Sequence, residues 1–150
     1  MELELTGAGL QEQMRRFADG TDSHCYRWLG CHYAGDDGYT FRVWAPAARS
    51  VSLVGDFNSW DPDARPMERL EGGIFTCTLQ HIAPYSCYKY HVVGADGQAV
   101  DKCDPFAVHQ ETRPGTASKV CEIGGYVWGD GDWFRRKAAD GVYNCPMNIY

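Results

Sequence analysis

Residues 38–60 read GYTFRVWAPAARSVSLVGDFNSW. Two runs of period two lie inside this stretch. Tyr39, Phe41 and Val43 alternate with Thr40 and Arg42, and Val51 and Leu53 alternate with Ser50 and Ser52. Successive side chains of an extended strand point to opposite faces, so each run predicts an antiparallel strand with one apolar and one polar side. Working outward, the pattern returns at Phe75, Cys77 and Leu79 against Thr76 and Thr78. It returns again at Tyr88, Tyr90 and Val92 against Lys89 and His91. Pro46, Asp61-Pro62, Gly72-Gly73, Ala83-Pro84 and Asp96-Gly97 supply the turns between them. A last strand is expected over residues 117–123. Short strands at this spacing predict a mostly-β chain, an immunoglobulin-like antiparallel β-sandwich over residues 38–124.

The flanks differ in texture. Leu10, Met14 and Phe17 recur at helical spacing and predict a short amphipathic helix that stops near Gly20. A second helical piece is expected from Ser23 to Leu29, capped by Asp22 or Ser23 and stopped at Gly30. Residues 1–37 therefore read as a helical N-terminal extension. Beyond Gly124, the aromatic and glycine-rich run from Tyr126 to Trp133 has no clean period, so residues 125–150 read as an irregular linker. Met147-Asn148-Ile149-Tyr150 opens a new apolar run, which reads as the start of a strand in something longer.

Composition narrows the partners. The 150-residue chain carries a net charge of −6, which argues against nucleic acid, whose phosphates need a basic surface. A neutral ligand such as a polysaccharide suits it. The acidic start Met1-Glu2-Leu3-Glu4-Leu5 lacks the order of a signal peptide, and no apolar run approaches a membrane span; a cytoplasmic protein is expected. The seven cysteines are scattered and include no Cys-x-x-Cys, so they read as free thiols rather than as a zinc site or a disulfide framework.

No catalytic motif is present. The five histidines share no metal or triad spacing, and no metal or cofactor is expected. Asp56 and Asp61 flank Trp60, but aspartates in such a stretch more naturally set up turns. Binding is the better reading. Trp60, among small polar residues at a strand end, is placed to offer its indole face to the C–H face of a sugar ring. Asn58 offers a donor and an acceptor, and Lys89, on the polar side of its strand, offers a charged donor. Trp44, Trp128 and Trp133 read as packing at a domain junction. Trp28 reads as an anchor for the N-terminal helices.

Taken in order, several segments resemble the N-terminal part of the bacterial 1,4-α-glucan (glycogen) branching enzymes. They are Phe17-Ala18-Asp19-Gly20-Thr21, the run from Tyr26 to His32, the run from Phe41 to Ala48 with its Trp-Ala-Pro, and the run from Val51 to Trp60. The resemblance continues through Lys102-Cys103-Asp104-Pro105-Phe106-Ala107, the Glu-Thr-Arg-Pro-Gly-Thr-Ala-Ser of residues 111–118, and Tyr143 to Tyr150. It implies an immunoglobulin-like glycogen-binding module ahead of a (β/α)8 barrel, whose first strand residues 147–150 would enter. The family's reaction cuts an α-1,4 linkage and moves the freed segment to a 6-hydroxyl. Its aspartate nucleophile and glutamate acid/base would lie beyond Tyr150, so no catalytic residue is expected here. The implied partners are α-1,4-glucan (glycogen or maltooligosaccharide) and the protein's own barrel.

Similar modules in the regulatory β subunit of an energy-sensing kinase bind glycogen through two tryptophans, a lysine and a hydroxyl. Trp60, Lys89 and Thr116 match three of these positions; Ala99 stands where the second tryptophan would be. A stand-alone regulatory glycogen-binding domain, the module of a debranching enzyme and a non-binding spacer are the rival readings.

Overall fold

The structure, a computed structural model, describes residues 7–36, 38–124, 127–140 and Pro146. Two antiparallel four-stranded sheets face each other. One contains β1 (Gly30–Gly35), β2 (Gly38–Trp44), β4 (Glu68–Arg69) and β5 (Ile74–Leu79), in the order β1-β2-β5-β4. The other contains β3 (Ala48–Gly55), β6 (Cys87–Gly94), β7 (Ala99–Lys102) and β8 (Ser118–Lys119). In this second sheet β3 lies along one edge of β6, while β7 and β8 share its other edge end to end. The fold is the expected mostly-β sandwich.

Alternation makes the core. Phe41, Val51, Leu53, Phe75, Tyr88 and Tyr90 point between the sheets and are at most 2% exposed. Phe41 meets Tyr88 edge-on at 5.0 Å, and Tyr88 meets Tyr90 at 6.0 Å. Burying residues of this size supplies about 1.5–3 kcal/mol each before entropy is charged. One polar group sits among them. Asp104 is 2% exposed; its Oδ2 accepts the hydroxyls of Tyr88 (2.7 Å) and Tyr90 (3.2 Å), and its Oδ1 accepts the Phe106 N–H (2.8 Å).

The chain differs from its sequence reading in four places. Gly30–Gly35, placed in the helical extension 1–37, is a strand that pairs with β2 from Gly30↔Arg42 to Gly35↔Gly38. It is an edge strand with Tyr33 and Ala34 exposed, so it shows no apolar face to read. The helical piece expected over Ser23 to Leu29 shrinks to a single 3-10 turn, Cys25–Arg27. Residues 131–140, placed in the irregular linker, form a helix, α2 (Gly131–Asp140), whose residues 131–139 are all exposed. The expected strand over residues 117–123 is reduced to β8. The Met147–Tyr150 run and Cys145 lie outside the described residues.

The first helix, α1 (Gly7–Ala18), does more than extend the chain. Leu10, Met14 and Phe17 pack with Trp28, Leu29 and Ile74 in a second apolar cluster on the outer face of the first sheet. Ile74 faces outward there because its neighbour Phe75 faces the core. Trp28, 1% exposed, meets Phe17 edge-on at 5.7 Å and donates its indole N–H to Asp22 Oδ2 at 2.8 Å. It is the anchor the sequence suggested. Trp44, 51% exposed, meets Phe17 at 5.5 Å and donates to the Gly72 carbonyl.

Candidate functional site

With α1 covering the outer face of the first sheet, attention falls on the outer face of the second. Tyr88 and Tyr90 point inward, so Lys89 and His91 point outward. The register sets Val54 beside Lys89 and Ser52 beside His91. On the far side, Asp101 lies beside His91 and Ala99 beside Val93. His91 Nδ1 and Asp101 Oδ1 are hydrogen-bonded at 2.7 Å.

Trp60 stands at the end of β3, where the chain turns through a 3-10 turn, Asp56–Asn58. It is 39% exposed and its N–H donates to the Gly55 carbonyl at 3.0 Å. Ser59 (φ 53°) and Trp60 (φ 63°) both adopt left-handed backbone, a costly state for residues other than glycine. Something must hold them there, and Asn58 does. Its Oδ1 accepts the Gly55 N–H (2.9 Å), and its Nδ2 donates to the carbonyls of Leu53 (2.9 Å) and Asp61 (3.2 Å). Asn58 was expected to present a donor and an acceptor to a ligand. Both amide hydrogens are instead committed inside the turn, so its part is to aim Trp60. Gly55 leaves no space for a side chain: a methyl group there would run into the Cys87 carbonyl and the Phe57 ring.

Lys89 and Thr116, 27 positions apart in sequence, meet. The Lys89 ammonium donates to Thr116 Oγ1 at 2.7 Å. Thr116 is held by a loop that Glu111 clamps. The Glu111 N–H donates to the Ala117 carbonyl, and the Ala117 N–H donates back to Glu111 Oε2 at 2.8 Å. That backbone bond leads the influences holding the Glu111 carboxyl below its usual range. Sequence reasoning gave Glu111 no role, although it opens the segment 111–118 that carries the resemblance, since its partner is backbone.

Ala99 is exposed on the same face, with no aromatic ring at that position. Of the two carboxylates, Asp56 Oδ2 accepts the Cys87 N–H (2.8 Å) and ties the turn after β3 to the start of β6, while Asp61 Oδ1 accepts the Asp63 N–H (2.9 Å) within its own turn. Six cysteines among the described residues are free thiols; burial pushes the thiols of Cys31, Cys77 and Cys87 up, so they resist ionisation. Among the described residues no cluster of three or more His, Cys, Asp or Glu could hold a metal ion, and no helix is long and apolar enough to cross a membrane.

The surface can therefore offer one aimed indole, one ammonium with a hydroxyl beside it, and a hydrogen-bonded histidine–aspartate pair further along. Stacking area ringed by hydrogen-bonding groups fits a polyhydroxylated, uncharged ligand. Comparison with known proteins points the same way. The profile of carbohydrate-binding module 48 (isoamylase N-terminal domain) matches residues 28–107. The chain is 37% identical to the 1,4-alpha-glucan branching enzyme GlgB of Oceanobacillus iheyensis, over 93% of this chain and 22% of that protein. It is 39% identical to the enzyme of the same name from Synechococcus elongatus, over 89% of this chain and 18% of that one. The chain thus spans about a fifth of the length of these curated relatives. Its fold is shared with a pullulanase from Anoxybacillus sp. solved with maltotetraose (TM-score 0.55, 22% identity, 82% of this chain and 16% of that one).

Proposed function

The chain belongs to the carbohydrate-binding module 48 family, and from that premise we propose that it is the N-terminal glucan-binding module of a cytoplasmic 1,4-α-glucan branching enzyme. It holds α-1,4-glucan on the outer face of the second sheet. Trp60 stacks on a glucosyl ring, Lys89 and Thr116 bond its hydroxyls, and Asn58 aims Trp60 as a positioning residue. Its other partner is the enzyme's own catalytic barrel, which supplies the branching chemistry. One observation carries the reading: the Lys89–Thr116 contact at 2.7 Å, on the face whose end carries exposed Trp60. Two residues distant in sequence converge on this face, and Trp60 follows the end of the neighbouring strand, which supports a binding surface over a spacer. The similarity to branching enzymes over about nine-tenths of the chain supports the choice of enzyme.

The test is a titration of the 150-residue chain with maltoheptaose, followed by tryptophan fluorescence. The wild type should bind at roughly millimolar ligand, and Trp60→Ala should weaken it about tenfold, the size of one aromatic contact. Lys89→Ala should weaken it about threefold, a net hydrogen bond in water. Absence of binding by the wild type would leave only a spacer role. The same preparation should transfer no glucan segments on amylose, since the Asp56 and Asp61 carboxylates that flank Trp60 are both engaged by backbone N–H groups.

A further inference from the structure

The outer face of the second sheet continues past Lys89, away from Ala99. Cys87 pairs with Lys119, and Tyr88 with Ser118. Beyond β8 the chain runs back along its free edge: Gln110 bridges to Ser118, and the Lys119 N–H donates to the His109 carbonyl at 2.9 Å. Ser118 is buried and faces inward with Tyr88, so Lys119 and His109 face outward with Cys87. Tyr85 lies just before β6 at this corner. Its ring meets His109 at 5.7 Å with planes 70° apart, and it is 60% exposed, more than Trp60. Its backbone is held in the left-handed region (φ 67°) by an N–H donated to the Val120 carbonyl at 2.7 Å. A strained tyrosine, braced by a histidine and 60% exposed among the described residues, is a preorganised flat surface.

We propose that Tyr85, backed by His109, is a second stacking platform of the glucan surface and takes over the part that an aromatic at position 99 would have played. This rests on the reading of the surface given above. The platform lies at the opposite end from Ala99. The edge carrying His109 lies three interstrand steps, about 14 Å at about 4.8 Å each, from the end of β3 where Trp60 stands, and the Tyr85 ring, on the chain entering β6, leans to within 5.7 Å of the His109 ring, which leaves roughly 9 Å or more between the two platforms. A single sugar ring cannot touch both platforms; a longer maltooligosaccharide crossing Cys87 and Lys119 can. Tyr85 therefore sets chain-length preference, adding affinity only for ligands that reach it.

Calorimetric titration of the full chain with maltose and with maltoheptaose tests this. Tyr85→Ala should weaken maltoheptaose about tenfold while changing maltose less than about twofold, and Tyr85→Phe should keep the wild-type ratio. Unchanged maltoheptaose affinity in Tyr85→Ala, with Trp60→Ala still impaired, would overturn the second platform and leave the primary surface standing. No maltoheptaose binding by the wild type would overturn the surface itself. An equal loss for both sugars with a lowered melting temperature would also overturn the platform, marking Tyr85 as structural.

Discussion

Asp104→Ala is expected to destabilise the protein by about 3–5 kcal/mol, measured as a fall in the urea midpoint with unchanged slope. The carboxylate is buried and accepts two tyrosine hydroxyls and a backbone N–H. Truncation leaves three buried donors without an acceptor, and each costs about 1–3 kcal/mol, less what relaxation recovers. The two hydroxyls belong to Tyr88 and Tyr90 of β6, at the centre of the core, where water cannot replace the lost acceptor. A loss below about 1 kcal/mol would show that the group is not the hub the geometry makes it.

The same residue gives stability a pH dependence of unusual sign. Burial raises the Asp104 carboxyl above its ordinary value, and the bonds from Tyr88, Phe106 and Tyr90 offset only part of that rise. A carboxyl that holds its proton more tightly folded than unfolded stabilises fully below the unfolded pKa of about 3.9. That contribution is lost as pH rises through the raised folded value. Asp104→Asn does not titrate, so the wild type should gain on this variant as pH falls from neutral toward 4. A gap that narrows over that range would mean that the anion, not the acid, is favoured in the fold.

The second large effect is expected at Asn58. Asn58→Ala removes three hydrogen bonds that tie Gly55, Leu53 and Asp61 together, for about 2–3 kcal/mol. Ser59 and Trp60 each store about 1–3 kcal/mol of backbone strain, and without Asn58 that strain relaxes by moving the indole. Maltoheptaose affinity should therefore fall as far as in Trp60→Ala, although Asn58 need not touch the sugar. Asn58→Asp keeps the acceptor for Gly55 but loses both donors, and its affinity should lie between those of the wild type and Asn58→Ala. If Asn58→Ala loses stability yet binds normally, the turn does not aim Trp60.

How much of this could be read from the sequence follows from where the periodicity was clean. β2, β3, β5 and β6 alternate strictly because each buries one face in the common core. Ala99-Val100-Asp101-Lys102 is exposed along its whole length, so β7 carries no such imprint. β1 is hidden by its edge position and by the glycines at its ends. In α2 the helical spacing was masked by Trp133 and Phe134, which are exposed and so gave no apolar stripe to follow. At the surface, Trp60 was legible because an indole among small polar residues is locally conspicuous. Lys89 was visible on the polar side of its strand, but its meeting with Thr116 spans 27 positions and only the resemblance suggested it. Asn58 was seen as a polar group, but its bonds within the turn were not legible, since they depend on carbonyls that folding brings near. Tyr85 and His109 were unmarked, because each is ordinary alone and only the edge beyond β8 joins them.

β6 carries the Asp104-bound tyrosines on one face and Lys89 between them on the other, and it is paired along both edges. Its amides should therefore exchange with deuterium only through global unfolding, at the slowest rate in the chain. A glucan that clamps Lys89 cannot slow them further by local ordering. The loop of residues 111–117, held by Glu111 and touching Lys89 through Thr116, has that room. Occupancy of the surface should be written in the exchange of this loop while the strand beneath it moves only with the whole.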